Sequence, residues 1–236
     1  MTTISERMQA IRERVAEVAR DARRAPGSVS LLAVSKTHPA PVLQAAFEAG
    51  QRDFGESYLQ EALEKIEALA YLPIAWHFIG PIQSNKTRPI AEHFAWVHGV
   101  DRLKIAQRLS DARPAQLPPL NVCIQVNVSG EASKSGCAPQ ELPGLVREIA
   151  ALPRIRLRGL MAIPEPTTDI ALQHRQFRML RELLDELNRA GLALDTLSMG
   201  MSDDFPAAIA EGATIVRLGT AFFGERQKRS ATESTE

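Results

Sequence analysis

The chain has 236 residues, which suits one large domain or two small ones, and 44% of them are hydrophobic, enough for a globular core. Its 28 Lys+Arg balance 28 Asp+Glu, so charge makes no case for a nucleic acid or an anionic membrane as partner. Two cysteines, Cys123 and Cys137, without a CxxC pair argue against a disulfide framework or a structural zinc site, and no apolar run approaches the ~18 residues of a membrane span.

The first predicted element is a helix within residues 1–25. Thr3-Ile4-Ser5-Glu6 reads as a capping box, Met8, Ile11, Val15 and Val18 recur at helical spacing, and Pro26-Gly27 closes the segment. Repeated Glu and Arg between Met1 and Arg24 exclude a signal peptide, so a reducing, cytoplasmic setting is expected. Apolar, strand-like runs then follow at 31–35, 52–55, 75–79, 95–100, 121–128, 156–163, 195–199 and 213–218. Helical stretches separate them at 40–50, 57–70, 84–94, 102–112, 138–152, 168–190 and 203–211. Eight strands alternating with helices predict an α/β fold, a closed (β/α)₈ TIM barrel. An open doubly wound sheet is the alternative, but it would offer a Gly-rich first turn where this chain has Ser35-Lys36-Thr37-His38-Pro39. No composition break divides residues 1–236, and a polar, frayed tail is expected from Gln227.

In such a barrel, function sits at the C-terminal ends of the strands. The first strand, Leu31-Leu32-Ala33-Val34-Ser35-Lys36-Thr37, is apolar on both faces and ends on a lysine. A desolvated lysine is an amine nucleophile of the kind that forms Schiff bases; a snorkelling lysine with its charge in water is the plainer alternative. The loops after strands seven and eight, Ser198-Met199-Gly200-Met201-Ser202 and Gly219-Thr220-Ala221, match the usual phosphate site of barrels. Ser202 also reads as a plain helix N-cap, and so does Ser57 in Ser57-Tyr58-Leu59-Gln60. Arg217 lies near the end of strand eight, which neighbours strand one in a closed barrel. An amine, an arginine and a phosphate site around one mouth describe a site for pyridoxal 5′-phosphate (PLP), bound through Lys36. Gly80-Pro81-Ile82-Gln83-Ser84-Asn85-Lys86-Thr87 resembles a P-loop but lacks the glycine before its lysine. The strand ends hold no carboxylate or histidine cluster for a metal. His93 and His174 fall on helices as solvated residues, and His77 reads as a satisfied core residue, with a pocket wall as the alternative.

These segments carry a resemblance. With Phe54-Gly55-Glu56, Trp76-His77-Phe78-Ile79-Gly80-Pro81-Ile82-Gln83-Ser84-Asn85-Lys86, Ser133-Lys134-Ser135-Gly136, Arg158-Gly159-Leu160-Met161-Ala162-Ile163, Leu197-Ser198-Met199-Gly200-Met201-Ser202-Asp203-Asp204 and Val216-Arg217-Leu218-Gly219-Thr220-Ala221-Phe222-Phe223-Gly224, nearly the whole chain resembles the pyridoxal phosphate homeostasis protein family. The resemblance implies a fold-type III PLP barrel akin to that of alanine racemase, without the racemase's second domain. It implies Lys36 as the Schiff-base residue, phosphate contacts from Ser202, Gly219 and Thr220, and Arg217 facing the pyridine nitrogen. Ser57, Ile82 and Met199 complete the implied cofactor site. The family usually has Asn where this chain has Ser57, and often Lys where it has His38.

An arginine at the ring nitrogen leaves that nitrogen unprotonated and the ring a poor electron sink. Racemisation also needs a second acid/base, and the tyrosines, Tyr58 and Tyr71, are not at strand ends. The stretch after strand eight is too short for the racemase's second domain. The expectation is therefore a monomeric PLP carrier or regulator of vitamin B6 and amino-acid pools, with PLP-dependent apo-enzymes as candidate partners. A low-activity amino-acid racemase is the alternative.

Overall fold

The computed structural model describes residues 3–130 and 135–224; Ser133, Lys134 and the tail from Gln227 lie outside the described residues. Eight parallel strands close into a barrel in sequence order. They are β1 (Ser30–Val34), β2 (Asp53–Glu56), β3 (Ala75–Phe78), β4 (Trp96–Val100), β5 (Leu120–Gln125), β6 (Ile155–Met161), β7 (Thr196–Ser198) and β8 (Ile215–Leu218). Between them run α2 (Ala40–Glu48), α3 (Leu59–Ala68), α4 (Thr87–His93), α5 (Leu103–Ala112), α6 (Leu142–Ala150), α7 (Ile170–Arg189) and α8 (Phe205–Ala210). The helix α1 (Ile4–Asp21) precedes β1, and the short α9 (Thr220–Phe223) follows β8.

The ring closes where the first and last strands pair, with Leu32 opposite Arg217 and Ala33 opposite Leu218. Both faces of these strands are covered, as parallel strands require. One face packs on the helices, the other into the lumen, so Leu32, Ala33 and all four residues of β8 are buried.

The capping box predicted for α1 is present: Glu6 N–H donates to Thr3 Oγ1 at 3.2 Å, and Thr3 N–H to Glu6 Oε2 at 2.7 Å. Its apolar stripe, Met8, Ile11, Val15 and Val18, is buried against α2, α8 and α9, the helices beside the β1–β8 seam. The Arg24 guanidinium fastens the helix's exit by donating to the carbonyls of Ala213, Ile209 and Ser28. The expected helix ends shift inward. Helix α6 starts at Leu142 because Cys137 still bridges to Val126 and Ala138 N–H is taken by Glu141 Oε2 at 2.9 Å. In the P-loop-like segment, Ser84–Lys86 forms a 3₁₀ turn leading into α4 rather than an anion-cradling loop.

Candidate cofactor site

Lys36 sits two residues past the end of β1, between two backbone anchors. Ser35 N–H continues the ladder by donating to Gly55 O at 2.9 Å. Its carbonyl accepts from Lys65 Nζ at 2.8 Å, and its hydroxyl donates to Glu56 Oε1 at 2.6 Å. On the other side, Thr37 has φ 70°, a left-handed conformation that costs a non-glycine residue on the order of 1–2 kcal/mol. Glu61 Oε1 holds it there by accepting Thr37 N–H at 2.6 Å. Lys65 joins the two carboxylates, at 2.8 Å from Glu56 and 2.5 Å from Glu61. One ion cluster, carried by β2 and α3 and buried at Glu56 and Lys65, therefore grips the chain before and after Lys36. Burial pushes the Glu56 carboxyl above its ordinary value against the pull of the Lys65 charge, and its Oε2 has no hydrogen-bond partner among the described residues.

Lys36 opens into a cavity of about 190 Å³ at the C-terminal mouth of the barrel. Six of the eight residues predicted for the site line it: Lys36, Ser57, Ser202, Arg217, Gly219 and Thr220. Ile82 and Met199 do not. Both are buried behind the wall, while Ile79 and Met201, with Val34 and Ile163, supply its apolar surface. Sequence reasoning missed His38, which also lines the cavity and stacks on Phe223 with ring centroids 4.7 Å apart. The signal available for Val34 was strand alternation, since it precedes Lys36 by two residues. Tyr58 and Tyr71 are exposed and absent from the lining.

The loops after β7 and β8 present donors without protein acceptors. Among the described residues, the N–H groups of Ser202, Asp203, Thr220 and Ala221 make no hydrogen bond within the protein. Neither do the hydroxyls of Ser57, Ser202 and Thr220. The N-cap readings of Ser57 and Ser202 are not what the structure shows: the caps of α3 and α8 are Tyr58 and Asp204, neither with a side-chain capping bond. Two glycines shape this mouth. Gly200 takes φ 94°, and a Cβ there would meet Ala208 Cβ at 2.7 Å; at Gly80 a Cβ would meet Ser57 O at 2.4 Å. Clustered unpartnered donors on two loops suit a phosphate group, and the amine of Lys36 across the same cavity suits an aldehyde.

A second, wider depression of about 660 Å³ lies between Asn127 and Met179, but its described lining contains no cationic side chain. No group of histidine, cysteine and carboxylate side chains among the described residues is arranged to hold a metal ion.

Arg217 forms the cavity floor and is buried. Its Nη1 donates to Ser198 O at 2.6 Å and Ser198 Oγ at 2.8 Å, and its Nη2 donates to Ala162 O at 2.8 Å. The Nε–H and one Nη2–H retain no protein acceptor among the described residues. Burial lowers the guanidinium pKa to about 10, against the opposing charge of Asp204, so it stays cationic at neutral pH. Beneath Ser198 the lumen is polar. His98 Nδ1 lies 2.8 Å from Ser198 Oγ, His98 Nε2 lies 2.9 Å from His77 Nδ1, and His77 Nε2 lies 3.2 Å from Asp53 Oδ1. His77 is thus a satisfied core residue, with both ring nitrogens partnered, and it is not part of the cavity wall. Of the helical histidines, His93 is exposed, whereas His174 lies 2.9 Å from the buried Glu211.

Residues 7–227 match the family model of the alanine racemase N-terminal domain. The chain is 67% identical over 226 residues to the pyridoxal phosphate homeostasis protein of Pseudomonas aeruginosa, covering 96% of this chain and 97% of that one. It is 50% identical to the protein of the same name from Escherichia coli over 96% of this chain and 98% of that one. Among solved structures it superposes on PipY of Synechococcus elongatus with PLP bound, with a TM-score of 0.82 and 38% identity over 94% of this chain and 100% of that one. It also superposes on alanine racemase of Corynebacterium glutamicum, with a TM-score of 0.67 at 20% identity, over 95% of this chain and 63% of the racemase; this shows the shared barrel fold.

Proposed function

The chain belongs to the pyridoxal phosphate homeostasis protein family, and from that premise we propose that it binds PLP in the cavity at the mouth of the barrel and acts in intracellular PLP homeostasis. The observation that carries this reading is the convergence of Lys36, Arg217 and the unpartnered donors of Ser202 and Thr220 on one cavity. Lys36 holds the aldehyde carbon as a Schiff base. The N–H groups and hydroxyls of Ser202 and Thr220, with the open backbone at Gly219, hold the phosphate, and Ser57 adds a hydroxyl. Arg217 directs a free N–H at the pyridine nitrogen. Ile82 and Met199 would contribute as buried packing beside the site rather than as its lining. When bound, PLP supplies an electrophilic carbon and an electron-withdrawing ring; Arg217, which does not give up its proton, keeps that ring a weak electron sink. The chain is thereby suited to carrying PLP as a cytoplasmic monomer, with PLP-dependent apo-enzymes as recipients.

Borohydride reduction of the PLP-loaded protein, followed by peptide mapping, tests the anchor. The label is expected on Lys36, and Lys36→Ala should abolish the visible absorption band. A label on Lys86 or Lys65 instead would overturn the assignment. One observation favours a second reading, a low-activity racemase. His38 places a second acid/base group in the same cavity as Lys36. Deuterium exchange at Cα of alanine in D₂O decides between them: exchange above free PLP that is lost in His38→Ala supports the racemase.

A further inference from the structure

The polar column beneath Arg217 has a direction that follows from the chemistry of its ends. A guanidinium has only donors, and a carboxylate has only acceptors. At the lower end, Asp53 Oδ1 can only accept, so the proton of His77 is on Nε2. The His77 Nδ1 is then an acceptor, and His98 must present Nε2–H to it. His98 Nδ1 is left as an acceptor and takes the hydroxyl proton of Ser198. The Ser198 oxygen accepts in turn from Arg217 Nη1, which cannot do otherwise. Starting from Arg217 leaves a choice, since the Ser198 oxygen has a second lone pair, so it is the Asp53 carboxylate that settles the direction. A proton added to either histidine places two hydrogens against one another, or strands the Ser198 hydroxyl.

The surroundings leave this arrangement no competing partner among the described residues. His77 lies flat on Trp96 at 5.4 Å with an interplanar angle of 4°, and His98 is tilted against the same ring at 5.8 Å. The Arg158 guanidinium sits 4.7 Å over Trp96 but is committed to Asp195 and Asn121. Cys123, near Arg217, has its thiol pushed up to about 12 by burial, against the charges of Arg158 and Arg217 and with that of Asp195, so it stays protonated. Asp204 acts on Arg217 through its charge, while its Oδ1 accepts Met201 N–H at 2.6 Å. The side chain of Asp53 is 43% exposed, so the column ends in solvent at the opposite mouth of the barrel.

We propose that Ser198, His98 and His77 form a one-way hydrogen-bond chain, with Asp53 as its terminal acceptor, that positions Arg217, locking both imidazoles as neutral Nε2–H tautomers and fixing which guanidinium N–H groups face the cofactor ring. The second half of this statement rests on the PLP reading above; the first half does not. The chain ties an accessible carboxylate at the bottom of the barrel to the ring environment at the top.

The test uses ¹⁵N-histidine-labelled full-length protein, first without and then with PLP. Expected for the wild type at pH 7 are two neutral Nε2–H imidazoles. Asp53→Ala should let the other tautomer appear on both rings, shift the visible band and weaken PLP affinity about tenfold, the size expected for one misplaced charged hydrogen bond. Asp53→Asn keeps an acceptor oxygen and should retain the wild-type tautomers and most of the affinity. An Nδ1–H tautomer on His98 in the wild type would overturn the chain. Unchanged tautomers, band and affinity in Asp53→Ala would overturn the positioning role. A wild type that takes up no PLP defeats the proposed function instead, and the tautomers of the unloaded protein still decide the chain.

Discussion

His77 and His98 are the residues whose burial has the clearest thermodynamic consequence. Burial holds His77 below the ordinary histidine value of 6.5, against the opposing hydrogen bond and charge of Asp53. Burial, and then the charges of His77 and Arg217, hold His98 well below it. The unfolded chain therefore binds more protons than the folded one as pH falls beneath 6.5. Their stabilising contribution is complete above that value and is lost on the acid side, at on the order of 1 kcal/mol per pH unit for each imidazole. Urea midpoints measured from pH 7 down to pH 5 should fall, and a His77→Phe, His98→Phe double variant should show a shallower slope whatever its stability at pH 7. An equally steep slope in that variant would refute the assignment. The sequence made Lys36, Arg217, Gly219 and Thr220 legible because each sits at a strand end, where periodicity alone fixes the mouth of a barrel. It could not show the histidine column, because His77, His98 and Ser198 come from β3, β4 and β7 and meet only once the ring has closed. Met199 is absent from the cavity lining for a related reason. Gly200, at φ 94°, turns the chain just after β7 and brings Met201 rather than Met199 to the cavity.

At the scale of elements, β2 and α3 serve the lysine just past β1. A strand at 52–55 and a helix at 57–70 are legible in the sequence, but not the service, because spacing alone does not bring Glu56 onto Lys65, nine residues on. Packing buries two of the three, with the Lys65 side chain 6% and the Glu56 side chain 0% exposed, while Glu61 stays 32% exposed. Removing one partner of such a pair leaves a charge in the interior, which costs about 3–5 kcal/mol. Lys65→Met should destabilise the protein by about that amount in urea denaturation and free Thr37 to leave its left-handed conformation. The rate of Schiff-base formation with added PLP should drop at temperatures where the variant is still folded. A variant folded at 25 °C that reacts at the wild-type rate would show that Lys36 needs no such grip. The approach of Gly80 to Ser57 belongs to the same scale: Gly80→Ala should displace the Ser57 backbone and weaken PLP binding in a fluorescence titration.

At the scale of the whole molecule, distant segments are joined by a few polar hubs. Glu211, at the end of α8, accepts from Arg178 and Arg181 on α7 and lies 2.9 Å from His174 on the same helix. Burial works against its charge, but the hydrogen bonds of Arg178 and His174 and the charges of Arg178 and Arg181 outweigh it, holding the carboxyl below its ordinary 4.5. The stability this hub contributes is present above pH 4.5 and lost as pH falls through the lowered value. Glu211→Gln should cost about 2 kcal/mol at pH 7, and its difference from the wild type should shrink below pH 4.5.

The pairing of β1 with β8 joins residues 30–33 to residues 215–218, so the ring cannot close until almost the whole chain has been gathered. Contacts so far apart in sequence form late and slowly. The cavity straddles this seam, with Lys36 on one side and Arg217, Gly219 and Thr220 on the other. A molecule bound to both sides staples the last joint of the barrel, and it favours the closed state by mass action, by about 2.7 kcal/mol at a hundredfold excess over its dissociation constant. Vitamin supply would then set not only how much cofactor the protein holds but how long each copy survives unfolding and proteolysis.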